Sequence, residues 1–173
     1  MQRVRELIRE VPDFPQPGIL FRDLSPALAD AEAFAAVVSG LADGHASPGA
    51  VPDIVLGIEA RGFVFGAAVA HALGVGMALA RKPGKLPVVA HHAEYTLEYG
   101  TAVLELPAGV LAPGQRVLIV DDVLATGGTL AAACELVEAA GATVAGLAVV
   151  IELAALGGRR LLADRPLRAL LTL

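Results

Sequence analysis

The stretch VLIVDDVLATGGT, residues 117–129, decides the fold. Its apolar residues 117–120 have the pattern of a buried strand that ends where two aspartates follow. The segment ATGGT then leads directly into a sequence with helical periodicity. In parallel α/β sheets, ligands bind where a strand ends and the next helix begins. The stretch therefore predicts a central strand and a ligand site at its end.

The same order of patterns occurs before and after this stretch. Apolar runs predict strands and periodic segments predict helices in the order 53–58 (DIVLGI), 63–73, 75–80 (VGMALA), 116–120 (RVLIV), 130–140 and 143–153 (TVAGLAVVIEL). Strand, helix and strand, twice over, indicate right-handed βαβ units. We predict one α/β domain, residues 1–173, with a mostly parallel central sheet flanked by helices.

Three segments outside these units have patterns of their own. Apolar residues at helical spacing predict one helix through Val4 and Val11 and another through Phe34 and Leu41. The loop between them, VPDFPQPGILFRDLSP, is rich in proline, so it is predicted to be extended and not helical. Residues 81–105 lack helical periodicity and predict a hairpin or flexible flap.

Composition limits the classes of partner and compartment. The chain is 55% apolar, yet no apolar run approaches the ~20 residues of a membrane span, so we expect a soluble protein without a membrane partner. Its net charge of −5 argues against nucleic acid as a partner. The start, MQRVRELIREVPDF, lacks an apolar signal-peptide core, and the single Cys134 forms no internal disulfide. We therefore expect a cytoplasmic protein.

The acid pair and the loop after it suit a sugar phosphate. Small residues let the backbone wrap around an anion, and the following helix directs N–H groups and its dipole toward it. The loop residues are Ala125, Thr126, Gly127, Gly128 and Thr129. Directly upstream, Asp121 and Asp122 suit vicinal hydroxyls, so the combination predicts a ribose 5-phosphate ligand. The alternative is an ordinary strand-to-helix turn with two solvated aspartates.

Two places in the chain supply cations for such an anion. Arg61 follows a predicted strand and precedes a helix, where it suits pyrophosphate oxygens; the alternative is a surface ion pair with Glu59. The only two lysines, Lys82 and Lys85, lie beside Arg81. Because a guanidinium does not replace a compact ammonium group, the lysines are candidates for binding phosphate, with coincidence as the alternative.

The histidines and the cysteine show no metal-ligand spacing. We predict His71 on a helix surface and His45, His91 and His92 in loops. Cys134 lies on the apolar face of its predicted helix, so we expect it in the packed core.

Five separated segments resemble those of type I phosphoribosyltransferases, in that family's order. They are PDFPQPGILFRDLSP, GIEARGFVFG, RKPGKLP, YTLEYG and VLIVDDVLATGGT, and DDVLATGGT is most similar to the members that use adenine. The resemblance covers nearly the whole chain. It implies the type I fold with a five-stranded parallel core, an N-terminal hood in residues 1–28 and a flap. It also implies a homodimer and Mg²⁺, which the substrate's own oxygens largely hold.

The resemblance assigns residues to phosphoribosyl pyrophosphate (PRPP). It implies that Asp121 and Asp122 bind the ribose hydroxyls and that residues 125–129 hold the 5-phosphate. For the pyrophosphate it implies Arg61, Arg81, Lys82 and Lys85, some of them across a dimer interface. A non-proline cis peptide bond within residues 59–61 is implied as well.

The resemblance also assigns the base pocket and a catalytic loop. The backbone of Leu20 and Arg22 is implied to recognise the hydrogen-bonding edge of adenine, with Phe21 near the ring. Without the family, Phe21 is better interpreted as plain core. Glu98 and Tyr99 match the catalytic loop, in which a carboxylate interacts with the base or takes up a proton. The alternative for Glu98 is a solvated acid.

The implied reaction is the Mg²⁺-dependent transfer of the 5-phosphoribosyl group from PRPP to adenine, which gives AMP and pyrophosphate in purine salvage. Catalysis would come from alignment of the substrates, charge neutralisation on the leaving group and exclusion of water by the flap. Two alternatives remain: a relative that uses another purine such as xanthine, and a non-catalytic regulator that senses PRPP.

Overall fold

The computed structural model describes residues 1–45, 49–97 and 100–173. The strands are β1 Arg9–Pro12, β2 Leu20–Asp23, β3 Ile54–Ile58, β4 Gly76–Ala80, β5 Val89–Leu97, β6 Gly100–Pro107, β7 Arg116–Leu124, β8 Thr143–Glu152 and β9 Leu167–Thr172. The α-helices are α1 Gln2–Leu7, α2 Ser25–Ala29, α3 Ala31–Ala42, α4 Arg61–Leu73 and α5 Gly128–Ala139. Two 3₁₀ segments, Ala154–Leu156 and Gly158–Leu162, follow β8.

The central sheet has five strands in the order β4-β3-β7-β8-β9. Every pairing within it is parallel, and helices cover both faces, so the α/β fold predicted from the sequence is confirmed. Ile119 of β7 packs with Leu130 and Val137 of α5, whereas Leu118 packs on the opposite face with Phe65 of α4. Successive residues of a strand point to opposite faces of the sheet, so the apolar run in β7 is buried on both faces.

The N-terminal helix is shorter than predicted. It ends at Leu7, and Val11 lies in β1, opposite Phe21 of β2. The prolines after Val11 disfavour a helix. The segment instead pairs with β2 as an antiparallel ribbon, and an ion pair between Arg9 and Asp23 (2.6 Å) links the two strands. The extended conformation predicted for the loop is found in β2, but the prediction is wrong for its last two residues, Ser25 and Pro26, which begin α2, since proline is tolerated in the first turn of a helix.

The hairpin predicted within residues 81–105 is present. β5 and β6 pair antiparallel, and the opposed Ala93 and Leu104 are buried. His91 and His92 lie in β5, so their placement in a loop was wrong. Pairing with β6, where His91 lies opposite Leu106 and His92 opposite Glu105, fixes their extended conformation. No helix in the described ranges is long and apolar enough to cross a membrane.

The junction of α1 and α3 is expected to weaken in acid. Asp30, the N-cap of α3, accepts bonds from the guanidinium of Arg3 (2.8 and 2.5 Å) and from the N–H of Ala33 (2.9 Å). The bond from Arg3, and then that from Ala33, lower the pKa of Asp30 from 3.8 to about 2. A carboxyl group whose pKa is lower in the folded state stabilises that state above its unfolded pKa. This contribution is lost as the pH falls through the folded pKa, so the relevant window is about pH 4 to 2.

Thermal unfolding between about pH 6 and 2 measures this contribution. Asp30→Asn retains a good capping side chain but cannot titrate, so its Tm is expected to fall less steeply below about pH 4 than that of the unmodified protein. Parallel curves for the two proteins would contradict the assignment to Asp30.

Candidate active site

The acid pair, Asp121 and Asp122, lies where the pairing of β7 with β3 stops while its pairing with β8 continues. Pairing with β3 ends at Val120, whereas pairing with β8 continues to Leu124. The prediction that the strand ends before Asp121 is therefore wrong on the β8 side, because β8 extends far enough to bond the additional residues. On the β3 side the pairing does stop there, so the sheet opens beside Asp121 and Asp122.

Both aspartates are buried, with 7% and 6% of Asp121 and Asp122 exposed. The N–H of Asp122 donates to Oδ1 of Asp121 (2.9 Å), and the guanidinium of Arg61 forms an ion pair with Asp122. Burial, and next the charge of Asp122, raise the pKa of Asp121 well above its ordinary value, while Arg61 acts in the opposite direction. The alternative of two solvated aspartates does not fit. Buried adjacent carboxylates favour a ligand that brings hydroxyl donors or positive charge.

Arg61 reaches the acid pair because α4 begins very close to β7. A Cβ at Gly62 would lie 2.8 Å from Oδ1 of Asp121 and 2.9 Å from the carbonyl oxygen of Val120. Such distances are too short for a carbon atom, so a larger residue would push α4 away from β7. The glycine thereby holds Arg61, the first residue of α4, beside Asp122 and not beside Glu59, which was its alternative partner.

The connection between β7 and α5 has the form that an anion site needs. Gly127 has φ +91° immediately before α5 begins at Gly128, a left-handed conformation that glycine adopts without strain. No side chain of the described residues caps α5, so the first N–H groups of the helix are available to a ligand. The loop lines a cavity of about 90 Å³ whose walls are Val123, Leu124, Ala125, Thr126, Gly127, Thr129 and Leu130.

Glu59 joins this region to the cationic loop after β4. Its Oε2 accepts a bond from the N–H of Lys82 (2.9 Å) and one from Nε of Arg81 (3.2 Å), and the bond from Lys82 is the main cause that lowers the pKa of Glu59. Arg81 also donates to the carbonyl oxygen of Lys85 (3.2 Å). Backbone bonds of 2.9 and 2.7 Å tie Arg81 to Glu105 of β6. The Arg81 guanidinium therefore makes internal contacts, whereas both lysines are exposed.

The structure places Phe21 beside Arg61. The guanidinium carbon of Arg61 lies 5.1 Å from the ring centroid of Phe21, and Phe14 contacts the same ring edge-on at 5.1 Å. A cavity of about 360 Å³ is lined by Val11, Phe14, Phe21, Asp23, Ser25 and Arg61. Phe21 is therefore not plain core, and Arg61 borders both this cavity and the acid pair.

Leu20 and Arg22 flank Phe21 on β2. In the described residues the β1–β2 ribbon has two strands, so one backbone edge of β2 is unpaired. Residues two apart in a strand direct their backbone groups to the same side, so Leu20 and Arg22 can act together on a ligand. The side chain of Arg22 forms an ion pair with Glu10.

Two features near the site were not foreseen from the sequence. The bonding role of Glu59 and the contact of Gly158 with the loop 125–129 depend on segments distant in sequence. The peptide bond between Glu59 and Ala60 is cis, as the resemblance implies. Glu98 and Tyr99 lie outside the described residues.

A magnesium ion would find two suitable protein ligands here. Within residues 1–45, 49–97 and 100–173, no three His, Cys, Asp or Glu side chains lie together as a metal cluster. Asp121 and Asp122 offer carboxylate oxygens, which Mg²⁺ prefers, and their mutual repulsion favours a cation. They fit an ion that is held mainly by substrate oxygens and water. His71 is exposed on α4 and Cys134 is buried, as the sequence predicts.

The fold and this arrangement of charges match a known class of transferase. The family model described as the phosphoribosyl transferase domain matches residues 26–164. The parallel sheet, the acid pair and the glycine loop thus define a phosphoribosyltransferase domain.

Individual relatives identify the family within this class of transferases more specifically. The adenine phosphoribosyltransferase of Saccharopolyspora erythraea is 64% identical over 166 residues, which cover 96% of this chain and 88% of that protein. The solved enzyme of Thermoanaerobacter pseudethanolicus has a TM-score of 0.94 at 45% identity over 99% of both chains. That of Saccharomyces cerevisiae, complexed with an imino-altritol bisphosphate and adenine, has a TM-score of 0.92 at 40% identity over 98% and 97% of the two chains. The chain belongs to the adenine phosphoribosyltransferase family.

Proposed function

We propose that the protein transfers the 5-phosphoribosyl group of PRPP to adenine, which gives AMP and pyrophosphate. The observation that carries this proposal is the position of Arg61, which pairs with Asp122 on one side and lies over the Phe21 ring on the other. A sugar-phosphate site and an aromatic cavity therefore meet at one cationic residue. Membership of the family supports adenine as the base.

The phosphoribosyl end of the substrate is assigned to β7 and the loop that follows. Asp121 and Asp122 accept bonds from the ribose hydroxyls. The N–H groups of the loop 125–129 and the hydroxyls of Thr126 and Thr129 donate to the 5-phosphate. Because both sets of groups belong to one strand-to-helix connection, the ribose is held at two points and its anomeric carbon is oriented for attack.

The base is assigned to the cavity at Phe21. The aromatic ring contacts the face of adenine, and the backbone of Leu20 and Arg22 pairs with the edge that carries the exocyclic amine. A purine with a carbonyl group at that edge would leave backbone groups mismatched in a closed pocket. Such a mismatch rejects the wrong base more strongly than a difference in size does.

The transfer breaks the bond between the anomeric carbon and the pyrophosphate oxygen, which leaves with the electron pair. Adenine N9 bonds to the anomeric carbon, and the proton on N9 is released. Arg61, Lys82 and Lys85 are assigned to the leaving pyrophosphate, and Arg81, assigned there by resemblance, also orders that loop through Glu59. When bound, Mg²⁺ supplies further neutralisation of the pyrophosphate charge.

Three further assignments rest on the family resemblance, and a fourth, the location, rests on the composition and the N-terminal sequence. Glu98 is assigned to the base as a proton acceptor or hydrogen-bond partner, with Tyr99 beside it in the chain. The hairpin of β5 and β6 is assigned the role of a flap that excludes water. A homodimer and a cytoplasmic location complete the proposal.

Substrate competition tests the choice of base. With Mg²⁺ and PRPP, pyrophosphate release is expected to be at least about a hundredfold faster with adenine than with hypoxanthine, guanine or xanthine at equal concentration. Preference for xanthine would contradict the base assignment. Binding of PRPP without release in the presence of any of the four purines would favour a regulator over an enzyme.

A further inference from the structure

We infer that Gly158, Arg159 and Glu152 form a brace that positions the phosphate loop 125–129. We call these three residues the brace. Glu152 is the last residue of β8, and Gly158 and Arg159 begin the second 3₁₀ segment that follows it. They are positioning residues for the 5-phosphate, so the inference rests on the proposed function.

Gly158 contacts the loop backbone directly. A Cβ at Gly158 would lie 2.2 Å from the carbonyl oxygen of Ala125 and 2.7 Å from the amide nitrogen of Gly127. Conversely, a Cβ at Gly127 would lie 2.6 Å from the carbonyl oxygen of Gly158. The two backbones therefore touch without an intervening side chain on either segment, and a shift of one displaces the other.

Arg159 fixes the segment that carries Gly158. Its Nε and Nη2 donate to the two carboxylate oxygens of Glu152 at 2.9 and 2.6 Å, and Nη1 donates to the carbonyl oxygen of Leu167 (3.2 Å). Glu152 is only 8% exposed, and its pairing partner in β7 is Leu124, the residue directly before the loop. The bond from Arg159 lowers the pKa of Glu152, so the carboxylate is charged at neutral pH.

The brace supports the loop without occupying its anion cavity. The described residues that line that cavity belong to the loop and to the adjoining ends of β7 and α5, and Gly158 is not among them. A ligand in the cavity therefore meets the loop on a surface that the brace does not block. Gly158 and the Arg159–Glu152 pair keep the loop N–H groups in place before the phosphate arrives.

Two variants test the brace by the binding of ribose 5-phosphate, measured by calorimetry. Glu152→Gln keeps the side-chain volume but removes the charge, and its Kd for ribose 5-phosphate is expected to rise about tenfold. In Gly158→Ala the added carbon overlaps the loop, and a rise of about a hundredfold is expected. For Glu152→Gln the KM for PRPP should rise in proportion, while kcat and the KM for adenine stay within about twofold.

Two controls separate positioning from general destabilisation. Arg165→Gln removes an arginine–glutamate pair of 2.7 Å with Glu138, close to the brace in sequence, and should leave the affinity for ribose 5-phosphate unchanged. Val137→Ala creates a cavity beneath α5 and should lower Tm without changing that affinity. Unchanged affinity in both brace variants, or equal losses in Val137→Ala, would overturn the brace. If the unmodified protein bound no ribose 5-phosphate, the proposed function itself would fail.

Discussion

Asp122→Asn is expected to lower kcat about a thousandfold, because a buried charge beside the reacting sugar is lost. Under the proposed assignment, the substitution removes an acceptor for a ribose hydroxyl and a negative charge that stabilises the positive charge developing on the sugar in the transition state. It also leaves the guanidinium of Arg61 without the carboxylate with which it pairs. Steady-state rates with saturating adenine and PRPP measure the effect.

The stability of this variant is not expected to fall with its activity. The charge of Asp122 is a cause of the raised pKa of Asp121, so its removal relieves repulsion between buried carboxylates. We expect Tm to be maintained or increased, which would separate a catalytic loss from misfolding. Asp164→Asn, an exposed acid, provides the matched control and should be fully active. Activity of Asp122→Asn within about twofold of the unmodified protein would remove Asp122 from the site.

Arg61→Gln is expected to lower kcat/KM for PRPP about a thousandfold, since one residue contacts both halves of the site. In the proposed site the pyrophosphate loses a cation, and Asp121 and Asp122 lose the charge that compensates them. Arg61→Lys keeps the positive charge but not the planar fork, so an intermediate loss is expected. Initial rates at varied PRPP concentration measure both variants.

Arg165→Gln is the control for this loss of charge. Arg165 pairs with Glu138 and lies away from the acid pair in the fold, so kcat/KM should remain within about twofold. Equal rates for Arg61→Gln and Arg61→Lys would show that the positive charge alone contributes nothing, whereas an unchanged rate for Arg61→Lys alone would show that the fork geometry is irrelevant. Near-normal rates for both would contradict the assignment of Arg61 to the pyrophosphate.

Features encoded within one short segment could be predicted from the sequence. The turn from β7 into α5 requires a left-handed residue and a free helix N-terminus, and Gly127 and Gly128 show both in the local pattern. The alternation of strands and helices is equally local, because each apolar run is buried on both faces of a parallel sheet. The prediction of a ribose 5-phosphate site rests on these segments by physical argument alone, without the family resemblance.

Features that depend on distant pairing could not be predicted in this way. β7 continues beyond Val120 only because β8 pairs with it, and Val11 enters a strand only because β2 lies opposite. Gly158 has no visible relation to the phosphate loop in the sequence, although the backbones touch. The identity of the base rested on family resemblance, since the role proposed for Leu20 uses its backbone, of which its side chain carries no sign.

The most direct test of the central claim is to identify the products of one reaction mixture. The purified protein is incubated with Mg²⁺, PRPP and adenine, and AMP and pyrophosphate are quantified by chromatography as adenine disappears. We expect both products to form in equal amounts, one of each for every adenine consumed. Absence of AMP under conditions in which the protein is folded and binds ribose 5-phosphate would contradict the proposed function.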